Sequence, residues 1–396
     1  MQQKKLDPLT SARFFAAAAI VIGHLNERFG SLGLSHLPLN QGVSFFFVLS
    51  GFILHYNYRS FATIGAVKRF IVARIARIWP VHGACLILFF VVLPRNLWYI
   101  PWPRPTLLTL LVPNLLLVQS WIPAKSFYLS LNGVSWSISN ELFFYLALPL
   151  IVAYARRPLA ILGLSVGTLL LFCFLVDQNE ISCDFNAGEI TAYGLIYANP
   201  LVRICEFIVG VLAARMFLER RVKFEGSVAE VSALMAVVAF LMLCPLIAGM
   251  PSFIAVTGSA FSFWCLNCGG VLFFALLIYS LAGNAGIISR VLSVRLLVFL
   301  GEISFSIYMT HQILNRAWGA YLGFLQGLPI IVEAAIFWFV LLAISSTMFL
   351  LIETPARKWI VEFYDRRRGE AHRSASPEPA STNFGQDTIL SGLPHS

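Results

Sequence analysis

The chain has 396 residues, of which 58% are hydrophobic and only 12% are charged, and its formal net charge is +9. Average soluble domains carry about 25% charged residues, so this composition excludes an ordinary soluble enzyme. The apolar runs are also too long and too continuous for the alternating strands of a membrane barrel. We therefore expect an all-α, polytopic integral membrane protein, in which the net charge reports membrane topology rather than nucleic-acid binding.

Ten apolar segments are long enough to be membrane spans. They lie near residues 9–28, 41–57, 78–94, 138–154, 158–176, 200–218, 227–249, 265–283, 297–318 and 330–352. Together they predict one transmembrane domain over residues 1–360. The polar remainder, 361–396, is predicted to be a cytoplasmic tail that is disordered from about residue 366.

The positions of the basic residues test this count, because Lys and Arg concentrate in cytoplasmic loops. If the N-terminus is cytoplasmic, the strongly basic segments all fall on that side: 4–5, 59–77, 156–157, 220–223, 290–295 and 357–368. The opposite loops are poor in Lys and Arg, and the loop at 177–199 is acidic. The sequence therefore predicts ten spans with both termini in the cytoplasm.

Two further segments contain apolar residues but are not predicted to be full spans. Residues 106–121 are interrupted by Pro113, Asn114 and Gln119, and a span there would invert every later loop. We predict a re-entrant or interfacial piece on the outer side. Residues 58–77 are basic and amphipathic, which predicts a helix on the cytoplasmic membrane surface.

The first span contains two side chains, Arg13 and His24, whose presence requires a structural or functional explanation, because charged and titratable groups are costly inside a bilayer. Arg13 and His24 are eleven residues apart, which places them on one helix face, about 16 Å apart along the axis. One interpretation is that they grip and act on one long ligand. The other is that Arg13 snorkels to the near surface while His24 pairs with a neighbouring helix.

Other polar residues within the spans are also candidates. Glu141 is predicted near the outer end of its span, where it either orients His24 or forms a structural pair with an arginine. Arg203 and Glu206 are three residues apart, which favours a local ion pair. His311 is either a second acid–base group or a satisfied core histidine.

A basic cluster precedes the third span, with Arg69, Arg74 and Arg77. Lipid phosphate is one ligand for it. The sharper hypothesis is that these arginines hold the phosphates of a cytoplasmic cofactor, because a guanidinium group donates two parallel hydrogen bonds.

The seven cysteines mostly lie in apolar runs, where cysteine acts as a small hydrophobe. Cys265 and Cys268 form an isolated C-x-x-C pair without the second pair or the histidines of a metal site, so no metal is expected.

Several motifs follow one another in a fixed order along residues 6–360. After Arg13, ten residues and His24 come GVSFFFVLSGFIL (42–54), RFIVARIARIWP (69–80), SWSISNELFFY (135–145), RICEFIVG (203–210), GEISFSIYMTHQ (301–312) and IETPARKW (352–359). This ordered set resembles the membrane-bound acyltransferase-3 family, the integral-membrane O-acyltransferases that decorate bacterial polysaccharides. Many members have Asp where this chain has Ser44, so one carboxylate of the family is missing here.

The resemblance implies a multi-pass protein of the inner (plasma) membrane that uses cytoplasmic acyl-CoA, with acetyl-CoA the expected donor. The implied acceptor is a hydroxyl of a carbohydrate or glycolipid. His24 corresponds to the essential histidine and Arg13 to its partner, and the likeness extends to Glu141, Arg74 and Arg77. His24 is then either a general base on the acceptor hydroxyl or a transient carrier of the acyl group, with Glu141 fixing its tautomer.

Two alternatives remain open from the sequence. A multi-span transporter of a small molecule or glycan precursor would also contain buried charges, although no matching broken helices are found in two halves. Within the enzyme class, the acceptor is either a surface glycan or a lipid or small metabolite at the inner face.

Overall fold

The computed structural model describes residues 5–29, 36–98, 106–154, 157–323, 325 and 328–375. Within these ranges the chain is helical, and the backbone pairing of β type is limited to one bridge between Ala124 and Ile190. The α-helices are α1 (Asp7–Phe29), α2 (Gly42–Asn57), α3 (Ile64–Val92), α4 (Leu107–Leu116), α5 (Lys125–Tyr128), α6 (Trp136–Ala153), α7 (Pro158–Gln178), α8 (Pro200–Leu218), α9 (Ser227–Ala248), α10 (Pro251–Thr257), α11 (Ser259–Cys268), α12 (Val271–Ala282), α13 (Ile287–Leu292), α14 (Arg295–Glu302), α15 (Ser304–Tyr321), α16 (Ile330–Met348) and α17 (Thr354–Ala375).

The described residues contain eight segments long and apolar enough to cross a bilayer, and the pair α14–α15, bent by 58°, makes a ninth candidate. The remaining predicted span is α8, a 19-residue helix that carries three charged residues, Arg203, Glu206 and Arg215. With α8 included, helices occupy all ten predicted positions. The prediction of an all-α, polytopic membrane protein is confirmed.

The third span differs from its prediction. The expected surface helix at 58–77 and the expected span at 78–94 are one continuous 29-residue helix, α3. Thr63 caps its N-terminus by accepting a hydrogen bond from the backbone N–H of Ala66. Pro80 lies inside α3 without ending it, which neighbouring elements make possible in membrane helices. The arginines of this segment are therefore fixed on a helix that continues into the bundle.

The segment at 106–121 is a short helix followed by a turn, as expected for a piece that does not span. The ten residues of α4 are too few to cross a bilayer, and Leu117 ends the helix in the left-handed conformation, with φ of 57°. The indole of Trp79 donates to the carbonyl of Leu115, and a ring nitrogen of His82 lies 2.9 Å from the carbonyl oxygen of Asn114. Side chains of α3 thus satisfy the free carbonyls at this helix end.

The C-terminal segment is more helical than predicted. A π-helical turn at Phe349–Glu353 joins α16 to α17, which packs on α3 and continues to Ala375. The prediction of disorder is therefore wrong for 366–375, which continue α17 as a helix. Asp365 and Arg368 bind α3, and Glu362 pairs with Arg366 within the helix. Residues 376–396 lie outside the described residues.

The centre of the bundle is the contact between α2 and α8. Gly51 of α2 lies against the carbonyl of Phe207, and Gly210 of α8 lies against the carbonyl of Val48, so a Cβ at either glycine would clash with backbone. Small residues let membrane helices approach this closely. Around this pair, α1 packs against α2, α13, α14 and α15.

Candidate functional site

A cavity of about 220 Å³ lies between α1, α2, α3, α6 and α15. Its wall is apolar in part, with Phe46, Phe47 and Phe305. Its polar lining includes three arginines, Arg13, Arg74 and Arg77, together with Glu141 and Tyr145. We call this space the arginine cavity. It brings four of the predicted site residues together from three different helices.

Two of the arginines owe their position to their spacing on α3. Arg74 and Arg77 are three residues apart, so both point from one face of the helix into the cavity. The guanidinium carbon of Arg74 lies 5.9 Å from the ring centres of both Tyr58 and Phe70, which orient it. The buried Nε of Arg74 has no hydrogen-bond partner among the described residues. This donor is available to a ligand.

Glu141 sits inside the arginine cavity, and its carboxylate accepts a hydrogen bond of 2.6 Å from the hydroxyl of Tyr145, one turn later on α6. A second carboxylate, that of Glu353, accepts from Ser306 and acts electrostatically on Arg13 and Arg77. Within the described part of the chain, none of the three cavity arginines forms an ion pair within 4.0 Å. The cavity therefore offers more positive charge than its own carboxylates neutralise.

His24 lies outside the cavity, and its partner is a second histidine. The Nδ1 of His24 is 2.8 Å from the Nε2 of His311, and the Nδ1 of His311 is 2.6 Å from the carbonyl oxygen of Tyr308. His311 is fully buried, whereas the side chain of His24 is exposed. The predicted contact between Glu141 and His24 is thus not the one formed, because Tyr145 holds Glu141 in the cavity and His311 takes the ring of His24.

Tyr308 connects the cavity to the histidine pair. Its ring lines the cavity beside Phe46 and lies 5.8 Å from the ring of His311, one turn later on α15. Its hydroxyl is fixed by Ser137 and by the carbonyl of Val134. The structure thus divides the predicted site into two neighbouring parts: the arginine cavity, and the pair of His24 and His311.

Three residues of the site, Tyr145, Tyr308 and Ser137, were not predicted from the sequence. The signal for Tyr145 was its position four residues after Glu141 on one helix, and that for Tyr308 was its position three residues before His311. No comparable local signal identifies Ser137, since its contact with Tyr308 spans 171 residues.

Arg203 and Glu206 form the predicted ion pair, with 2.9 Å between Nε and a carboxylate oxygen, and their side chains are 0% and 1% exposed. The guanidinium group also contacts Cys268 and Ser44. Its charge is further shielded by three rings whose centres lie 5.0–5.6 Å away, those of Phe47, Trp136 and Tyr197. We call this set the central arginine cluster, in which a carboxylate of the protein itself compensates the charge of Arg203.

Arg69, the third arginine predicted to bind a cofactor, is not brought to the cavity. It is exposed at the start of α3, where two of its nitrogen atoms each donate a 2.9 Å hydrogen bond to the carboxylate of Asp365 on α17. Across the described residues, no three His, Cys, Asp or Glu side chains come together as metal ligands.

Comparison with known proteins places these features in a family. A family model described as an acyltransferase domain matches residues 9–352. The chain is also 28% identical to "Acyltransferase MdmB" of Streptomyces mycarofaciens, over 95% of this chain and 96% of that protein. No solved structure matches the chain significantly. The match covers the arginine cavity, the histidine pair and nearly all the helices, and the chain belongs to the acyltransferase-3 family of membrane enzymes.

Proposed function

We propose that this acyltransferase moves an acyl group, acetyl in the first instance, from cytoplasmic acyl-CoA to a hydroxyl of a carbohydrate or glycolipid. The observation that carries the proposal is the arginine cavity, in which three guanidinium groups converge without an ion-pair partner among the described residues. In our proposal the protein is oriented in the inner membrane with the N-terminal end of α1 toward the cytoplasm.

The donor is anionic through its phosphates, and arginine is the side chain best suited to hold phosphate, because its planar fork donates paired hydrogen bonds. Arg74 and Arg77 lie on the part of α3 that the charge distribution assigns to the cytoplasmic half, and Arg13 faces them from α1. Pockets for whole drug-sized ligands usually measure about 300–1,000 Å³. A cavity of about 220 Å³ therefore holds one part of so large a donor, and the remainder extends from it.

The acyl end of the donor is then directed along α1, past Phe46 and Tyr308, toward His24. An imidazole there accepts the proton of the acceptor hydroxyl as the oxygen attacks the thioester carbonyl, and the coenzyme A thiolate leaves. Alternatively His24 attacks the thioester, carries the acyl group and passes it to the hydroxyl. Trapping an acyl-imidazole in single-turnover experiments separates the two routes.

The acceptor is proposed to reach His24 from the outer side, because His24 is the exposed member of the histidine pair. The amide of Asn315 on α15 lies 3.5 Å from the His24 carbonyl. The exposed position of the His24 imidazole supports access of an acceptor hydroxyl from this side.

The test is acyl-CoA consumption by purified protein in proteoliposomes, combined with mass spectrometry of cell-surface glycans. We expect wild-type protein to release free coenzyme A and to add one acyl-ester mass to a glycan, and His24→Ala of equal abundance to do neither. Lys68→Ala, which removes an exposed charge from the same helix as Arg74, is the control and should behave as wild type. Transport of a solute without thioester loss would contradict the proposal and favour a transporter.

If thioester loss occurs but the surface glycans are unchanged, the carbohydrate part of the proposal is wrong. The acceptor would then be sought among lipids and small metabolites of the inner face, with the donor assignment retained.

A further inference from the structure

We propose that His311 is a positioning residue that holds the proton of the His24 imidazole on Nδ1 and so leaves Nε2 as the reacting atom. This inference rests on the proposed function, in which His24 performs the chemistry. It assigns a task to His311 and restricts either chemical route to one nitrogen atom.

The backbone fixes the tautomer of His311. A carbonyl oxygen only accepts hydrogen bonds, so the Nδ1 of His311, 2.6 Å from the carbonyl of Tyr308, must carry a proton. In a neutral imidazole the other nitrogen then has a lone pair and only accepts. The Nε2 of His311 is therefore an acceptor, fixed by an atom of the main chain.

The tautomer of His311 in turn fixes that of His24. The Nε2 of His311 lies 2.8 Å from the Nδ1 of His24, so His24 must donate from Nδ1. In neutral His24 the lone pair is then on Nε2, the nitrogen that does not face His311. The tautomer of His24 is thus transmitted from the Tyr308 carbonyl through one buried imidazole.

The relative placement of the rings supports a real hydrogen bond rather than face-to-face stacking. The two ring planes are within 7° of parallel, and the centroids are 5.1 Å apart. Stacked faces would be about 3.5 Å apart, because carbon atoms approach no closer without repulsion. The nitrogen atoms are only 2.8 Å apart, so the rings lie side by side with the shared proton close to both planes.

This arrangement defines the proton balance of the reaction. As the acceptor oxygen attacks, its proton moves to Nε2 of His24, which becomes an imidazolium group that still donates from Nδ1 to His311. The coenzyme A thiolate then takes the proton from Nε2, which regenerates neutral His24. In the covalent route the same Nε2 lone pair attacks the thioester and the coenzyme A thiolate leaves. The acceptor oxygen then attacks the acyl carbon, the bond between Nε2 and that carbon breaks, and the hydroxyl proton passes to the thiolate, which leaves His24 neutral with its proton on Nδ1. His311 is not a proton relay, since its Nδ1 proton is already committed to a carbonyl oxygen.

Two substitutions test the inference. His311→Leu fills a similar volume without an acceptor, and we expect kcat to fall by about 10²-fold or more while KM for acyl-CoA stays within about twofold. His311→Gln presents an amide oxygen near the former Nε2, and we expect it to recover activity to within about tenfold of wild type. A purely packing role for His311 would instead make the apolar Leu the better replacement.

The direct readout is the nitrogen NMR spectrum of ¹⁵N-histidine-labelled protein in bilayers, with the His24 signals assigned by their loss in His24→Gln. We expect Nδ1 of His24 to carry the proton in wild type and in His311→Gln. In His311→Leu we expect a shift to the Nε2–H tautomer that free histidine favours in water. A wild-type His24 with its proton on Nε2 would overturn the inference.

The failure of this inference is distinguishable from failure of the proposed function. If His24→Ala retains acyl transfer, the role of His24 itself is wrong, whatever the tautomer. If His24→Ala is inactive but His311→Leu keeps wild-type kcat, the role of His24 stands and that of His311 is wrong.

Discussion

The central arginine cluster and the arginine cavity, both in the described part of the helical bundle, differ in how the charge of their arginines is compensated. In the central arginine cluster, the fully buried Arg203 has a carboxylate, a thiol, a hydroxyl and three aromatic rings around it. In the arginine cavity, three guanidinium groups face an open volume. A charge inside a bilayer costs several kcal/mol unless it is compensated. The charge of Arg203 is compensated by the protein, which indicates a structural role, whereas we propose that a ligand compensates the cavity arginines.

The largest expected effect is on the central arginine cluster. Glu206→Ala leaves Arg203 buried without its carboxylate, and loss of one partner of a buried pair costs about 3–5 kcal/mol. We expect a correspondingly lower unfolding temperature in detergent and much lower abundance in the membrane. Replacing both residues, as Arg203→Met with Glu206→Met, should recover most of the stability and retain activity within about tenfold. A stable but inactive double variant would show that this cluster takes part in the reaction.

The next effect concerns the arginine cavity. Arg74→Ala and Arg77→Ala each remove a donor to phosphate, and a hydrogen bond to a charged group is worth about 1.5–3 kcal/mol. We expect KM for acyl-CoA to rise by about 10- to 100-fold, with an unfolding temperature close to wild type. Initial rates over a range of acyl-CoA concentrations measure this. An unchanged KM in both variants would place the donor elsewhere.

The central arginine cluster and the arginine cavity also show how much of the structure could be predicted from the sequence. The Arg203–Glu206 pair followed from a spacing of three on one helix, and the shared face of Arg74 and Arg77 followed in the same way. That Arg13 shares one cavity with Arg74 and Arg77 was only a hypothesis from the sequence, because it depends on how α1 and α3 are placed around the cavity. Hydropathy was sufficient to predict where the spans lie. It could not predict that α3 continues through Pro80, because that depends on the neighbouring elements.

The partner of His24 illustrates the same limit. Glu141 was predicted to orient His24 because both were placed in the outer half of the bundle, but the hydroxyl of Tyr145, one turn away, holds the carboxylate in the cavity. His311 is 287 residues from His24 in sequence, and only the packing of α15 on α1 brings them together.

A moderate effect is expected at Glu141, and it distinguishes two roles for this residue: balancing the charge of the cavity arginines, or acting on His24. Glu141→Gln keeps an acceptor for Tyr145 but removes a negative charge that faces the cavity arginines. If Glu141 only balances their charge, we expect KM for acyl-CoA to fall by about three- to tenfold, with little change in kcat. A fall in kcat of about 10²-fold with KM unchanged would instead restore Glu141 as a group that acts on His24.

The smallest effect is expected at Arg69, which lies on the same helix as the cavity arginines but pairs with Asp365 at the surface. Exposed pairs contribute about 0.2–1 kcal/mol, so Arg69→Ala should lower the unfolding temperature slightly and leave KM for acyl-CoA within about twofold. Kinetics measured beside Arg74→Ala make the comparison. A rise in KM equal to that of Arg74→Ala would extend the donor site to Arg69.

The account separates donor binding at the arginine cavity from chemistry at His24, and one measurement tests this most directly. Equilibrium binding and single-turnover transfer of labelled acyl-CoA are measured in lipid nanodiscs for wild type, His24→Ala and Arg74→Ala/Arg77→Ala. We predict that His24→Ala binds acyl-CoA with wild-type affinity and transfers nothing. The arginine variant should bind weakly, yet transfer at near wild-type rate once saturated. Equal loss of binding in both variants, or transfer by His24→Ala, would contradict the account.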